Sequence, residues 1–311
     1  MRVDELERMA KDIERGKTPV LKPEDTFNFA CDMCGICCTN IDILLNPYDL
    51  IRLRRYLQCT TADLIRRNFV EVFPGGQSRV PLAMFTFRAI GDNLRVCPFL
   101  AHVADSSKLA ERLAGREEPT LEDLEASRVP GKMACAIYPV RPGVCRSSPL
   151  GRVVSFYQDE DEERAWRDQK VILVSPCPDC RGMKADTSVT VTEWLERNGV
   201  LPYWQASRGH QQVSASMVEK GLRLPEEDSK LPAGAKAALT ALWHIAAAIL
   251  YDFDTVSAVV SKFPQNRQHE DFREDLALLT ICQEMVRGLT EIAAVVCDQA
   301  EHGQDSPGGG S

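Results

Sequence analysis

Val3, Leu6, Met9, Ala10 and Ile13 recur at helical spacing, so residues 3–15 predict an amphipathic helix that Gly16 stops. After a loop carrying Phe27 and Phe29, residues 41–45 read as a short apolar strand or turn. Asn46-Pro47 then supplies a helix N-cap with Pro at the first helical position, and Asp49 falls in the first turn. That helix turns Leu50, Ile51, Leu53 and Leu57 to a core, and its Arg52, Arg54 and Arg55 read as a solvated face. Thr60 with Asp63 makes a capping box for a second short helix running to Phe69. Residues 80–90 are rich in strand formers, and Gly91-Asp92-Asn93 is a turn signal before residues 94–97, which predicts a hairpin. Residues 102–132 are charged and predict a surface insertion with a capping box at Thr120 and Asp123. A second hairpin is expected from residues 152–157 and 169–174, joined across the acidic run 159–163, followed by a helix over 191–197 that Asn198-Gly199 ends.

From residue 201 the pattern becomes helical, with segments expected at 201–220, 234–251, 254–263 and 267–300. Residues 221–232 form a polar linker between them. Core positions are assigned to Leu239, Leu242, Trp243 and Ala246, and to Leu276, Leu279, Met285, Leu289, Ile292 and Val296. Cys282 and Cys297 read as packing residues in the last helix, as does Cys59 between the first two. Residues 237–251 are the most apolar run, but Thr240 and His244 interrupt it and it is too short to span a bilayer, so it is expected to be a buried helix. The domain organisation expected is a cysteine-bearing domain over 1–200, including the insertion, a helical domain over 201–303 and a disordered tail over 304–311.

Charge and cysteine usage narrow the function classes. A net charge of −8 and a pI near 5.3 argue against a general nucleic-acid or anionic-membrane binder. The first residues are charged, without the apolar stretch of a signal peptide, so a cytoplasmic protein is expected. All of the 12 cysteines except Cys282 and Cys297 lie between residues 31 and 180, and reduced thiols in that number point to metal ligation ahead of disulfides.

The densest chemistry is Cys31-Asp-Met-Cys34-Gly-Ile-Cys37-Cys38. Two residues between thiols let consecutive side chains converge on one ion or cluster, and Gly35 lets the backbone fold tightly around it. Vicinal Cys37 and Cys38 are expected to point in different directions, one of them serving a second site or another face. Further thiols follow at Cys97-Pro98, at Cys135 and Cys145 across a Pro- and Gly-rich, non-helical connection, and at Cys177-Pro178-Asp179-Cys180. Arg141 and Arg146 bracket Cys145 and are candidates to donate hydrogen bonds to sulfur from beside the site. His102, five residues past Cys97, reads as a surface histidine.

The run Cys31-x2-Cys34-x2-Cys37-Cys38, then Cys97-Pro-Phe-Leu, then Cys135-x-Ile-Tyr-Pro-x-Arg-Pro-x-x-Cys145-Arg146, resembles the YkgJ-type CxxCxxCC family over residues 25–183. These are zinc- or iron-chelating, Fe–S-cluster-containing proteins. The resemblance implies ligands at Cys31, Cys34, Cys37, Cys38, Cys97, Cys135, Cys145 and one or both of Cys177 and Cys180. The insertion is long for that family, and the likeness leaves the C-terminal helices unexplained.

The metal expected is an iron–sulfur cluster, most simply 4Fe–4S, or zinc, since both accept four thiolates. The corresponding functions are a redox, sensing or accessory protein with an unidentified protein or redox partner, or a non-catalytic zinc module. A third reading is a protein lysine methyltransferase-like enzyme, because flagellin lysine-N-methylase is similar in its cysteine-rich region. Pro74-Gly75-Gly76 follows no convincing strand and opens no helix, so no nucleotide fingerprint is present, and enzyme status stays open. The fold class expected is mainly α with short β-hairpins: a loop-rich, metal-stabilised cysteine-cluster domain plus a C-terminal helical bundle.

Overall fold

The computed structural model describes residues 12–13, 15–31, 35–76, 78–90, 94–102, 133–154, 169–174, 180–254 and 272–302. The chain divides into two compact units, one of Met1–Ile43 with Phe85–Tyr203, the other of Leu44–Met84 with Trp204–Ser311. Segment 44–84, assigned from the sequence to the N-terminal domain, therefore groups with the C-terminal helices. The insertion and most of the opening helix lie outside the described residues, as do segment 254–263 (apart from Asp254) and the tail.

The first unit is built from small antiparallel sheets. Gln169–Leu173 pairs with Leu150–Val154 on one side and Val20–Leu21 on the other, in the register Leu150↔Leu173 and Val20↔Ile172. Thr26–Asn28 pairs with Ser188–Thr190, setting Phe27 opposite Val189. Arg88–Ile90 and Leu94–Val96 form the expected hairpin, and Leu100–His102 pairs with Met133–Cys135. The helix Val191–Arg197 starts at Thr190, whose hydroxyl accepts from Glu193 N at 3.2 Å while Thr190 N donates to Glu193 Oε2 at 3.0 Å. That helix presents Trp194 edge-on to Phe27 and Phe29, with centroids 5.9 and 5.2 Å away. Trp194 Nε1 donates to Ser147 O at 3.1 Å, holding the short helix Gly143–Ser147 that carries Cys145. Phe99 packs tilted against Phe85 with ring centroids 5.1 Å apart, and Ile137, Leu150, Ile172 and Val200 are buried as well.

The second unit joins two capped helices, a three-stranded sheet and three long helices. Pro47–Leu57 opens on a complete capping box, Asp49 N donating to Asn46 Oδ1 at 3.1 Å and Asn46 N to Asp49 Oδ2 at 2.8 Å. It ends where Gln58 takes a left-handed φ of 51°. Thr61–Arg66 opens the same way on Thr60 and Asp63. The sheet runs in the order Leu44–Leu45, Val80–Phe85, Val70–Gly75, so residues 80–85 form a strand separate from the 88–96 hairpin. The long helices are Leu201–Glu219, whose residues from Trp204 belong here, Ala233–Tyr251 and Phe272–His302. Their buried faces include Val213, Met217, Leu239, Trp243, Ala246, Leu250, Leu279, Val286 and Ala293.

Several sequence expectations change here. The fold is not a mainly α assembly of a loop-rich, metal-stabilised domain and a separate helical bundle. It is about half helical with several small antiparallel sheets, and no metal-binding group of three or more His, Cys, Asp or Glu side chains occurs among the described residues. The first unit has an apolar core of its own, and the C-terminal helices pack on Pro47–Leu57 within the second.

Arg52, Arg54 and Arg55 are not a merely solvated face. Arg55 lies 2.6 Å and Arg52 3.8 Å from the carboxylate of fully buried Asp275, and Arg54 pairs with Asp254. Met285 and Ile292 are 40% and 51% exposed rather than in the core. The apolar run extends back to Ala233, giving 19 helical residues, long and apolar enough to cross a membrane by length and composition, with a mean hydropathy of 1.4 in its 18-residue window. In this unit Trp243 Nε1 donates to Arg79 O at 2.8 Å and Tyr251 Oη to Pro81 O at 3.2 Å.

Candidate metal centre

Gly35 adopts a left-handed φ of 73° and opens a 3-10 turn over Ile36–Cys38, the tight fold that its missing Cβ allows. The turn is pinned by Cys38 N to Gly35 O at 2.9 Å and Thr39 N to Ile36 O at 3.1 Å. Its exit docks on the hairpin: Cys97 N donates to Cys38 O at 2.9 Å, Asn40 N to Arg95 O at 2.8 Å, and Arg95 N to Asn40 Oδ1 at 2.7 Å. Cys38 and Cys97 are thereby side by side although 59 residues apart in sequence. Three residues beyond Cys97, Leu100 pairs with Cys135, and Ala136 N donates to Phe99 O at 2.8 Å. Cys145 arrives on Gly143–Ser147, so the connection from Cys135 is not the non-helical one expected: it makes a 3-10 turn at Tyr138–Val140 and then this helix.

Among the described residues, Cys37, Cys38, Cys97, Cys135 and Cys145 lie near enough to perturb one another's ionisation, although no three of them form a metal-holding group. Cys37 hydrogen-bonds to Cys38, so the vicinal pair does not diverge as expected. That bond, then burial and the neighbouring Cys38 charge, push the Cys37 thiol far up from its ordinary value, while Arg141 opposes the shift. The hydrogen bond favours the Cys38 thiolate, but burial and the charges of Cys97, Cys145 and Cys135 raise it on balance. Cys97, 8% exposed, is pushed well up by burial and by Cys135. Cys135 is pushed up to about 11 by burial, with Arg141 and Arg146 working against the shift. Cys38, Cys97, Cys135 and Cys145 act on their neighbours to disfavour ionisation.

Cys31 and Cys180 are held on neighbouring segments. Ala30 N donates to Gly182 O at 3.1 Å and Phe29 N to Thr187 O at 3.1 Å. A Cβ on Gly182 would stand 2.7 Å from Ala30 O and 2.9 Å from the Phe29 ring, so only glycine permits the approach. Cys31 is exposed and Cys180 half-buried. Cys34 and Cys177 lie outside the described residues, and so does the His102 side chain. No disulfide links the ten described cysteines. Cys59 is half-buried, Cys282 is buried with its thiol pushed up to about 12 by burial, and Cys297 is half-buried.

The two arginines are locked in place. Arg141 Nη2 donates to Asn198 Oδ1 at 2.7 Å and its guanidinium lies 4.1 Å over the Tyr138 ring. Arg146 donates to Arg141 O at 3.0 Å, to Asn198 O at 3.0 Å and to Pro139 O, and stacks 4.6 Å over Tyr203. Arg146 therefore ties the loop around Cys145 to the end of the helix Val191–Arg197. Arg141 keeps one buried donor, Nε, without a partner. Asn198, Tyr138 and Tyr203 escaped the sequence reading; Asn198 signals only a helix end, and nothing local announces that both arginines converge on it.

No family model, curated protein or solved structure matches the chain. The likeness to the YkgJ-type family stands on its motif residues alone.

Proposed function

We propose that this is a thiolate metal-binding protein whose centre is assembled on Cys37, Cys38, Cys97, Cys135 and Cys145. Cys31, Cys34, Cys177 and Cys180 are the further donors that its motifs supply. What supports this reading is the mutual electrostatic proximity of five thiols from three separated segments, with no disulfide among the described cysteines. Soft sulfur donors in this number suit iron–sulfur clusters or zinc. Arg141 also fits such a group: its orphaned Nε sits in the motif between Cys135 and Cys145, and its charge favours thiolates at Cys37 and Cys135. Hydrogen bonding of that kind orients ligands and tunes a bound metal.

An iron–sulfur cluster is the preferred occupant, because the C-x2-C-x2-C run and the Cys-Pro pairs at 97 and 177 are ferredoxin-like. When bound, it supplies one-electron chemistry. The chain's own residues would hold the thiolates, exclude water through Phe99, Ile137 and Val140, and fix the Cys145 helix through Trp194. The role is redox, sensing or accessory, with a protein as redox partner. Zinc is the second reading, and separated C-x2-C pairs favour it.

The test is anaerobic purification of the full chain followed by iron, zinc and acid-labile sulfide assays with a visible spectrum. Iron with matching sulfide and broad absorption supports the cluster. Stoichiometric zinc without colour selects the zinc module, and absence of both metals rejects the proposal.

A further inference from the structure

Phe272–His302 carries two apolar patterns at once. Leu279, Cys282, Val286, Ala293 and Ala300 face the interior of the second unit. A different set, Leu278, Ile281, Met285, Gly288, Ile292 and Val295, repeats at alternating three- and four-residue steps, the spacing of a coiled-coil seam. None of these six is buried: Met285, Ile292 and Val295 are 40%, 51% and 55% exposed, and Leu278 and Ile281 are half-exposed. A Cβ on Gly288 would have nothing within 4 Å, so the seam has an open notch at its centre where another backbone can come close. From residue 278 to 295 the stripe runs about 26 Å along the helix.

Charge decides what covers it. Glu284 and Glu291 directly precede the seam positions Met285 and Ile292, Asp298 follows at the same seven-residue interval to form an acidic flank, and Arg287 is the lone basic residue between 278 and 298. Glu284 pairs with Arg287 and Glu291 with Lys220, yet their carboxylate side chains stay 60% and 66% exposed. A second copy laid antiparallel would set these acids against one another. A parallel copy would set them against half-buried Leu289 and Val296, where no counter-charge exists. An anionic lipid surface repels them as well.

We infer that this face of Phe272–His302 docks an amphipathic helix of a partner protein, its apolar stripe flanked by lysine or arginine. The partner helix seats large residues around the Gly288 notch and its cations on the acidic flank, the helix-in-groove mode with electrostatic register.

The test uses the full chain and a fluorescent 28-residue peptide with leucine at both seam positions of each heptad and lysine on both flanks. Anisotropy should report binding that falls at least tenfold for the same peptide with glutamate flanks. The double variant Ile292→Glu/Val295→Glu changes exposed residues only; it should keep its helical circular dichroism and lose at least tenfold in affinity. Glu284→Gln/Glu291→Gln should weaken binding several-fold and flatten its salt dependence. Three results overturn the inference: no binding of the lysine peptide; equal binding by the Ile292→Glu/Val295→Glu variant; or a wild-type dimer in sedimentation that this variant disperses, which would make a second copy the occupant. Flotation with phosphatidylserine vesicles that this variant abolishes would also overturn it, in favour of a membrane.

Discussion

Replacing Trp194 by phenylalanine separates two ways in which the first unit holds its cysteine-bearing helix. Trp194 is 9% exposed and its Nε1 reaches Ser147 O at 3.1 Å, while Ser147 is 5% exposed. Phenylalanine keeps most of the edge-on contact with Phe27 and Phe29 but removes the donor. A carbonyl at a helix end, too buried to recruit water freely, is left unsatisfied, which costs about 1–3 kcal/mol. Alanine removes the ring contacts as well and should cost about 3–5 kcal/mol. That is a large part of the total stability of a small protein, so the phenylalanine variant is the informative one.

Two measurements read the effect. Urea unfolding followed by circular dichroism gives the stability difference. Alkylation with peptide mapping gives the reactivity of Cys145, which should rise as Gly143–Ser147 loosens, while Cys59 in the second unit is unchanged. A Trp194→Phe protein within 0.5 kcal/mol of wild type, with Cys145 no more reactive, would refute the claim that this hydrogen bond positions the thiol.

Serine at Cys38, Cys97 or Cys135 should lower metal content in the assay above, whereas serine at Cys59 or Cys282 should leave it unchanged; metal loss on changing Cys282 would place the centre elsewhere. His210 is 8% exposed, lies 3.4 Å from Tyr251 Oη, and burial pushes its pKa down to about 4 from 6.5. The unfolded chain then binds more protons between those values, so stability present above pH 6.5 is lost as pH falls towards 4, by about 3 kcal/mol. His210→Phe should flatten that part of the urea-midpoint profile, and an unchanged slope would assign the acid sensitivity to other groups. Asp275→Asn removes the buried carboxylate that the part-exposed Arg55 and Arg52 face and should destabilise by about 1–3 kcal/mol in thermal or urea unfolding. Thr60→Ala removes a cap worth about 1 kcal/mol, measurable the same way.

What was legible in the residues themselves is local. Asn46 with Asp49 and Thr60 with Asp63 begin helices because a cap and its reciprocal acid lie three residues apart and need no other part of the chain. Gly16 and Gly35 take the left-handed conformations their positions suggest, and the 88–96 hairpin follows from its turn residues. The metal chemistry proposed for the cysteines rests on their type and spacing.

Tertiary structure decided everything that joins distant segments. The pairing of Arg55 with Asp275 spans 220 residues, so a charged helix face looked solvated when its partner lay on another helix. Cys38 meets Cys97 through a backbone hydrogen bond, and Cys135 joins them by strand register, neither of which leaves a mark in composition. On Phe272–His302 the sequence offers two apolar stripes within one helix, and periodicity ranks neither. Packing against Pro47–Leu57 and Ala233–Tyr251 buries Leu279, Val286 and Ala293 and leaves Met285, Ile292 and Val295 facing outward. A helix can satisfy only part of its circumference with the neighbours the fold provides, and which part is a property of those neighbours.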